Sequence, residues 1–141
     1  MKVAIITLHR IFNYGSALQA YATQRIFENY ADHVEIIDYI SPVRTFKALY
    51  LSGHYKGKRL SMRKLAYYIL KLPSILIKRI TFASFTKKNL YTSKSKYVNP
   101  DDLQIDPPEA DIYITGSDQT WNSFYNGGVD RGYFLDFLPE N

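Results

Sequence analysis

At 141 residues, 46% hydrophobic and 16% aromatic, the chain is long enough for one domain with its own core and too apolar for a disordered segment. It has no cysteine, which excludes a disulfide framework and thiolate chemistry. The net charge of +5 is unevenly spread: fourteen lysines and arginines and no aspartate or glutamate lie between Arg44 and Lys96, and such a block sets up a local positive field.

In chain order, residues 1–40 read as a β-α-β unit. Lys2 to Leu8 is a hydrophobic strand, the helix runs from about Ser16 to Tyr30, and Val34 to Tyr39 is a second strand. Leu18, Ala22, Ile26 and Tyr30 recur at four-residue steps and are expected to pack on the sheet. The strand passes into the helix through Asn13-Tyr14-Gly15-Ser16, which offers an amide side chain, a glycine permitting close backbone approach and a serine able to cap the helix. This is neither Gly-x-Gly-x-x-Gly nor a Walker loop. The apolar start is too short for a signal peptide, which points to the cytoplasm.

Residues 41–96 form a basic helical insert. Ser41-Pro42 breaks the preceding strand and Gly53 to Gly57 reads as a loop. Helical segments from about Ser61 to Leu72 and from Ser74 to about Leu90 flank Pro73, which either kinks one long helix or opens the second. Lys71, Pro73 and Lys78 interrupt the apolar stretch, so it does not read as a membrane span. The positive block over 44–96 admits a solvated face, an anionic inner-leaflet surface or an anionic substrate. Tyr67, Tyr68, Phe82 and Phe85 stand at helical spacing suited to a core, so nucleic acid is not the expected partner.

Residues 97–141 begin with the turn-rich Asn99 to Asp102 and Asp106 to Pro108. A short strand, Asp111 to Thr115, then runs into Gly116-Ser117-Asp118-Gln119-Thr120-Trp121-Asn122. If the first and last strands are parallel neighbours, Asn13–Ser16 and Gly116–Asn122 share the carboxyl rim of the sheet, where doubly wound folds bind ligands. A hydroxyl, a carboxylate, an amide and an indole in close succession suit a sugar, and Asp118 is placed to act as a general base. Ser117 and Asp118 equally suit a helix cap, Trp121 a core contact and Gln19 a helix surface. His9, just past the first strand, is a candidate proton donor or a hydrogen-bonded loop residue. His9, His33 and His54 match no metal-binding spacing, and no metal or cofactor is expected.

Asn13 to Ala22, Val34 to Tyr39, Gly116 to Asn122 and Tyr133-Phe134-Leu135-Asp136-Phe137, in this order and approximate spacing, resemble the polysaccharide pyruvyl transferase family. The resemblance covers residues 1–40 and 110–138 and is weak across the basic insert. It implies an α/β, Rossmann-like parallel sheet with a helical basic insert, similar to the amino-terminal half of a glycosyltransferase-B-type fold. It further implies transfer of a pyruvyl group from phosphoenolpyruvate, the co-substrate, to a glycan or lipid-linked sugar acceptor of a bacterial surface polysaccharide, giving a pyruvate ketal. Carried over by position, Asn13, Gly15, Ser16, Gln19, Gly116, Ser117, Gln119 and Trp121 are substrate-binding candidates, and Asp118 and His9 catalytic candidates. Family members are more than twice as long, so the resemblance implies that a carboxy-terminal half is missing and that this chain alone is inactive or nearly so. Near the motifs only Arg10 and Arg131 are placed to supply cations. A nucleotide-sugar-dependent glycosyltransferase of the same architecture and a non-catalytic remnant binding glycan or membrane are the alternatives.

Overall fold

The computed structural model describes residues 1–45, 62–117 and 119–139. Four strands form one all-parallel sheet: β1 (Lys2–Ile6), β2 (His33–Tyr39), β3 (Thr92–Tyr97) and β4 (Ile112–Thr115), in the order β3-β2-β1-β4. The helices are α1 (Tyr14–Phe27), α2 (Met62–Asn89), α3 (Pro100–Ile105) and α4 (Ser123–Asn126), with 3-10 turns at Pro42–Arg44 and Gln119–Trp121. This is an α/β, Rossmann-like arrangement.

β1 is central because it is apolar on both faces, as a strand covered on both sides must be. Val3 and Ile5 join Ala20, Val34, Ile36 and Leu90 in one core layer. Ala4, Ile6 and Leu8 turn to the opposite layer, with Ile37, Tyr39, Tyr97, Leu103, Tyr133 and Phe137. Val3 stands in register between Val34 and Ile112, and Ile5 between Ile36 and Ile114. The strands expected over Lys2–Leu8, Val34–Tyr39 and Asp111–Thr115 are therefore present and neighbouring. Chain order reverses at β1, since β2 and β3 build outward on one side and β4 is added on the other.

Three local expectations are revised. The helix face at Leu18, Ala22, Ile26 and Tyr30 is exposed; α1 instead buries Ser16, Ala17, Ala20 and Gln24. Two alanines let α1 lie close on the sheet. Gln24 is tolerated in the core because its amide donates to the carbonyls of Val34 (3.1 Å) and Tyr91 (2.9 Å) and accepts from the Tyr91 amide (3.1 Å). Within the basic insert lies β3, whose sequence Thr-Ser-Lys-Ser-Lys-Tyr buries only Ser93 and Tyr97 and exposes lysines, as a protected edge strand does. The segment beginning at Asn99 folds as α3: Pro100 occupies the first turn and the Asp102 carboxylate accepts from the amides of Val98 (3.1 Å) and Asn99 (3.0 Å). Of the two readings left open at Pro73, the structure has the first: α2 is one helix running through it. The loop expected over Gly53 to Gly57 and the start of the insert helix at Ser61 lie outside the described residues. Among the described residues no helix is long and apolar enough to cross a membrane.

Candidate functional site

Asn13 is the cap of α1. Its backbone is extended (φ −132°, ψ 123°) and its Oδ1 accepts from the Ser16 amide at 3.3 Å. The helix thus begins two residues earlier than Ser16, which is buried in the first turn. Capping by Asn13 leaves the amides of Tyr14 and Gly15 without a partner inside the helix, at its positive dipole end.

Gly116 closes β4 against β1. Its amide donates to the Ile6 carbonyl at 2.8 Å, and its own carbonyl accepts from the Thr120 hydroxyl at 2.9 Å. A Cβ at this position would meet Thr7 Oγ1, would lie 2.7 Å from Thr7 Cβ and 3.0 Å from Gln19 Nε2. Only a residue without a side chain fits between two rims this close. Thr7 in turn donates to Gln19 Oε1 at 3.0 Å, and Gln19 Nε2 donates to Thr23 Oγ1 at 3.2 Å, so the glutamine is held on both sides.

These contacts bring the loops after β1 and β4 to the two sides of one cleft of about 300 Å³, at the carboxyl rim where strand order reverses. It is lined by Asn13, Gly15, Ser16 and Gln19 from one side and by Ser117, Gln119 and Tyr125 from the other, over a floor of Leu8 and Ile11. The remaining wall is Arg44, from the 3-10 turn after β2. The volume suits a ligand the size of one sugar or a small phosphorylated acid.

Arg44 is the charged residue among the cleft's described lining. Its Nε donates to Asn126 Oδ1 at 3.1 Å, a terminal nitrogen approaches the Tyr125 carbonyl at 3.4 Å, and its guanidinium carbon lies 5.1 Å from the Tyr125 ring centroid. The buried Asn126 is oriented without ambiguity. Its Nδ2 donates to the carbonyls of Thr120 (2.6 Å) and Gln119 (3.4 Å), which leaves its oxygen for the guanidinium. Asn126 thereby links the turn after β4 to the turn after β2. Sequence reasoning passed over Arg44; its signal was its position directly after the Ser41-Pro42 break at a strand's carboxyl end.

Arg10 and Arg131, the two arginines that lie near the motifs in sequence, are engaged elsewhere. Arg10 pairs with Asp38, one guanidinium nitrogen lying 2.6 Å from the carboxylate. Arg131 pairs with Asp136 at 2.5 Å and approaches Asp101 at 3.8 Å.

Of the sequence candidates, Asn13, Gly15, Ser16, Gln19, Ser117 and Gln119 line the cleft. Gly116 is buried behind it. Trp121 is turned away from the lining: its Nε1 donates to the Tyr133 carbonyl at 3.3 Å and its ring lies 6.5 Å from that of Phe134. His9 is buried beneath the rim, with Nδ1 3.1 Å from the Thr7 carbonyl and Nε2 3.1 Å from Asp38 Oδ1. Both of its nitrogens are used inside the core. Asp118 lies outside the described residues.

Two buried acids sustain this rim. Burial alone would raise the Asp38 carboxyl, but the His9 hydrogen bond and the charges of His9 and Arg10 outweigh it and hold the group below its ordinary value. The Tyr39 phenol is pushed upward by burial and by its 2.7 Å bond to Asp130 Oδ1, which also accepts from the Gly132 amide at 3.1 Å. Tyr39 therefore serves as a neutral donor joining the end of β2 to the segment after α4.

The family model for polysaccharide pyruvyl transferase matches residues 13–141, a span that opens on the capping asparagine and takes in both cleft-forming loops. Comparison with curated proteins and with solved structures gives no match. On the strength of a family match over most of its length, the chain belongs to the polysaccharide pyruvyl transferase family, a family of transferases.

Proposed function

We propose that the cleft serves transfer of the enolpyruvyl group of phosphoenolpyruvate to a sugar hydroxyl pair of a surface polysaccharide. The observation that carries this reading is Arg44: within a pyruvyl transferase family chain, an oriented guanidinium faces neutral hydrogen-bonding side chains across a sugar-sized cleft.

The chemistry asks for such an arrangement. A proton adds to the methylene carbon of phosphoenolpyruvate, making C2 electrophilic. One sugar hydroxyl attacks C2, the C–O bond to phosphate breaks, and a second hydroxyl closes the ketal. Of the two hydroxyl protons, one balances the proton taken up by carbon and the other leaves with phosphate. A guanidinium fork suits the phosphate or carboxylate of the donor. Asn13, Gln19, Ser117 and Gln119 suit the sugar hydroxyls, and Asp118, between two cleft-lining neighbours, is our choice of base. On this reading a second Rossmann-like half closes the cleft, as in a glycosyltransferase-B architecture.

Isotope-labelled phosphoenolpyruvate, supplied with candidate glycans, tests the reaction: label should appear in an acid-labile ketal with stoichiometric phosphate release. Label retained in phosphoenolpyruvate while a nucleotide sugar is consumed would assign a glycosyltransferase instead. In the active protein, Arg44→Gln should lower kcat/KM about 100-fold, with Arg44→Lys intermediate.

A further inference from the structure

α2 has 28 residues, a length of about 42 Å, and among the described residues its ring contacts with the domain lie near its carboxyl end. Phe82 is buried, its ring 5.8 Å from Phe12 and 5.0 Å from Tyr14, and Phe85 lies 6.2 Å from Tyr21. Before that anchor, Ile69, Leu70, Leu72, Leu76, Ile77 and Ile80 are each between 49% and 80% exposed. At about 100° per residue they occupy one arc of about 160°, and its centre lies roughly opposite Phe82 and Phe85. One face of the helix is held by the domain; the other is an apolar stripe open to solvent.

Charge identifies what suits that stripe. No aspartate or glutamate occurs in α2, nor anywhere between Arg44 and Lys96. Lys87 and Lys88, both exposed, continue the arc about two turns beyond Ile80 and about three turns beyond Ile77, while Lys71 and Lys78 emerge from the other side. The exposed lysines Lys94 and Lys96 of edge strand β3 extend the same positive field. An apolar stripe accompanied only by cations matches the boundary between acyl chains and anionic headgroups.

We propose that α2 is an interfacial helix that seats the protein on an anionic lipid bilayer, the stripe at the acyl boundary and Lys87 and Lys88 among the headgroup phosphates. The inference is independent of the reaction assigned to the cleft. A helix of this kind lies along the membrane and does not span it.

Cosedimentation tests it, with vesicles of phosphatidylcholine alone and of phosphatidylcholine with about 30% phosphatidylglycerol. The 141-residue chain should partition at least about tenfold more strongly to the anionic vesicles at low salt, and lose most of that preference near 0.5 M salt. The double variant Leu76→Gln, Ile80→Gln should bind about tenfold more weakly, with circular dichroism and melting temperature unchanged because both side chains are exposed. Lys87→Gln with Lys88→Gln should reduce the anionic preference. Without any substitution, hydrogen exchange over residues 69–80 should slow on anionic vesicles and not on neutral ones. Equal or absent binding to both vesicle types at low salt would overturn the proposal. So would a lipid-free dimer dissociated by Leu76→Gln and Ile80→Gln, which would assign the stripe to a second copy.

Discussion

Asp38 shows how a single buried group links the fold to solution conditions. Its folded-state carboxyl titrates below the ordinary value because His9 and Arg10 outweigh its burial. The stabilisation is therefore complete above the unfolded-state titration near pH ~4 and disappears as pH falls through the lower folded-state value. Asp38→Asn should destabilise the protein at pH 7, and the gap to the parent should narrow towards about pH 2.5 in urea titrations; a gap independent of pH would disprove the linkage. Gly116 makes a different single-residue case. Gly116→Ala forces a methyl onto Thr7 and Gln19, and should cost about 1–3 kcal/mol in thermal or denaturant unfolding. Asn13→Ala should remove about 1 kcal/mol of cap stabilisation, whereas Asn13→Ser restores most of it. If turnover stays low in the serine variant while stability recovers, Asn13 serves the substrate as well as the helix.

For the elements, amphipathic periodicity was an incomplete guide. The four-step row Leu18, Ala22, Ile26, Tyr30 is the more apolar by composition, yet α1 turns Ala17, Ala20 and Gln24 to the sheet. Close packing favours small side chains at the contact, and a glutamine is accommodated once three backbone groups satisfy it. Gln24→Ala would leave the Tyr91 amide without its acceptor and take one donor from the Val34 carbonyl, while the Tyr91 carbonyl keeps the Ile36 amide at 2.8 Å; it should destabilise by about 1–3 kcal/mol, with faster hydrogen exchange at Tyr91. Edge strand β3 escaped recognition for a related reason: its lysines protect the edge and at the same time dilute the alternation that marks a strand.

Over the whole molecule, order β3-β2-β1-β4 with all strands parallel gathers the loops after β1, β2 and β4 at one rim. Two of those loops were legible as a pair from their polar residues, and the cleft has them on its facing sides. The third was not, because Arg44 stands far in sequence from both motifs, at the entrance of a basic segment that obscures any one cation. Arg10 and Arg131, nearer in sequence, are bound to carboxylates of the fold. Likewise Trp121, adjacent to the cleft-lining Gln119 by only two positions, follows the 3-10 turn away from it.

The sequence by itself determined the α/β class, the strand-turn-helix at Asn13, the last strand with its polar turn, and the segregation of positive charge. These depend on local patterns: runs of β-branched residues, turn chemistry and composition. Tertiary structure alone decided that His9 is consumed in the core with Asp38, that Gly116 packs against Thr7 and Gln19, and that Arg44 faces the cleft. It also decided which face of α2 is held and which is open. Each of these is a pairing between residues tens of positions apart, and only the register of a folded sheet chooses among the many such pairings a chain allows.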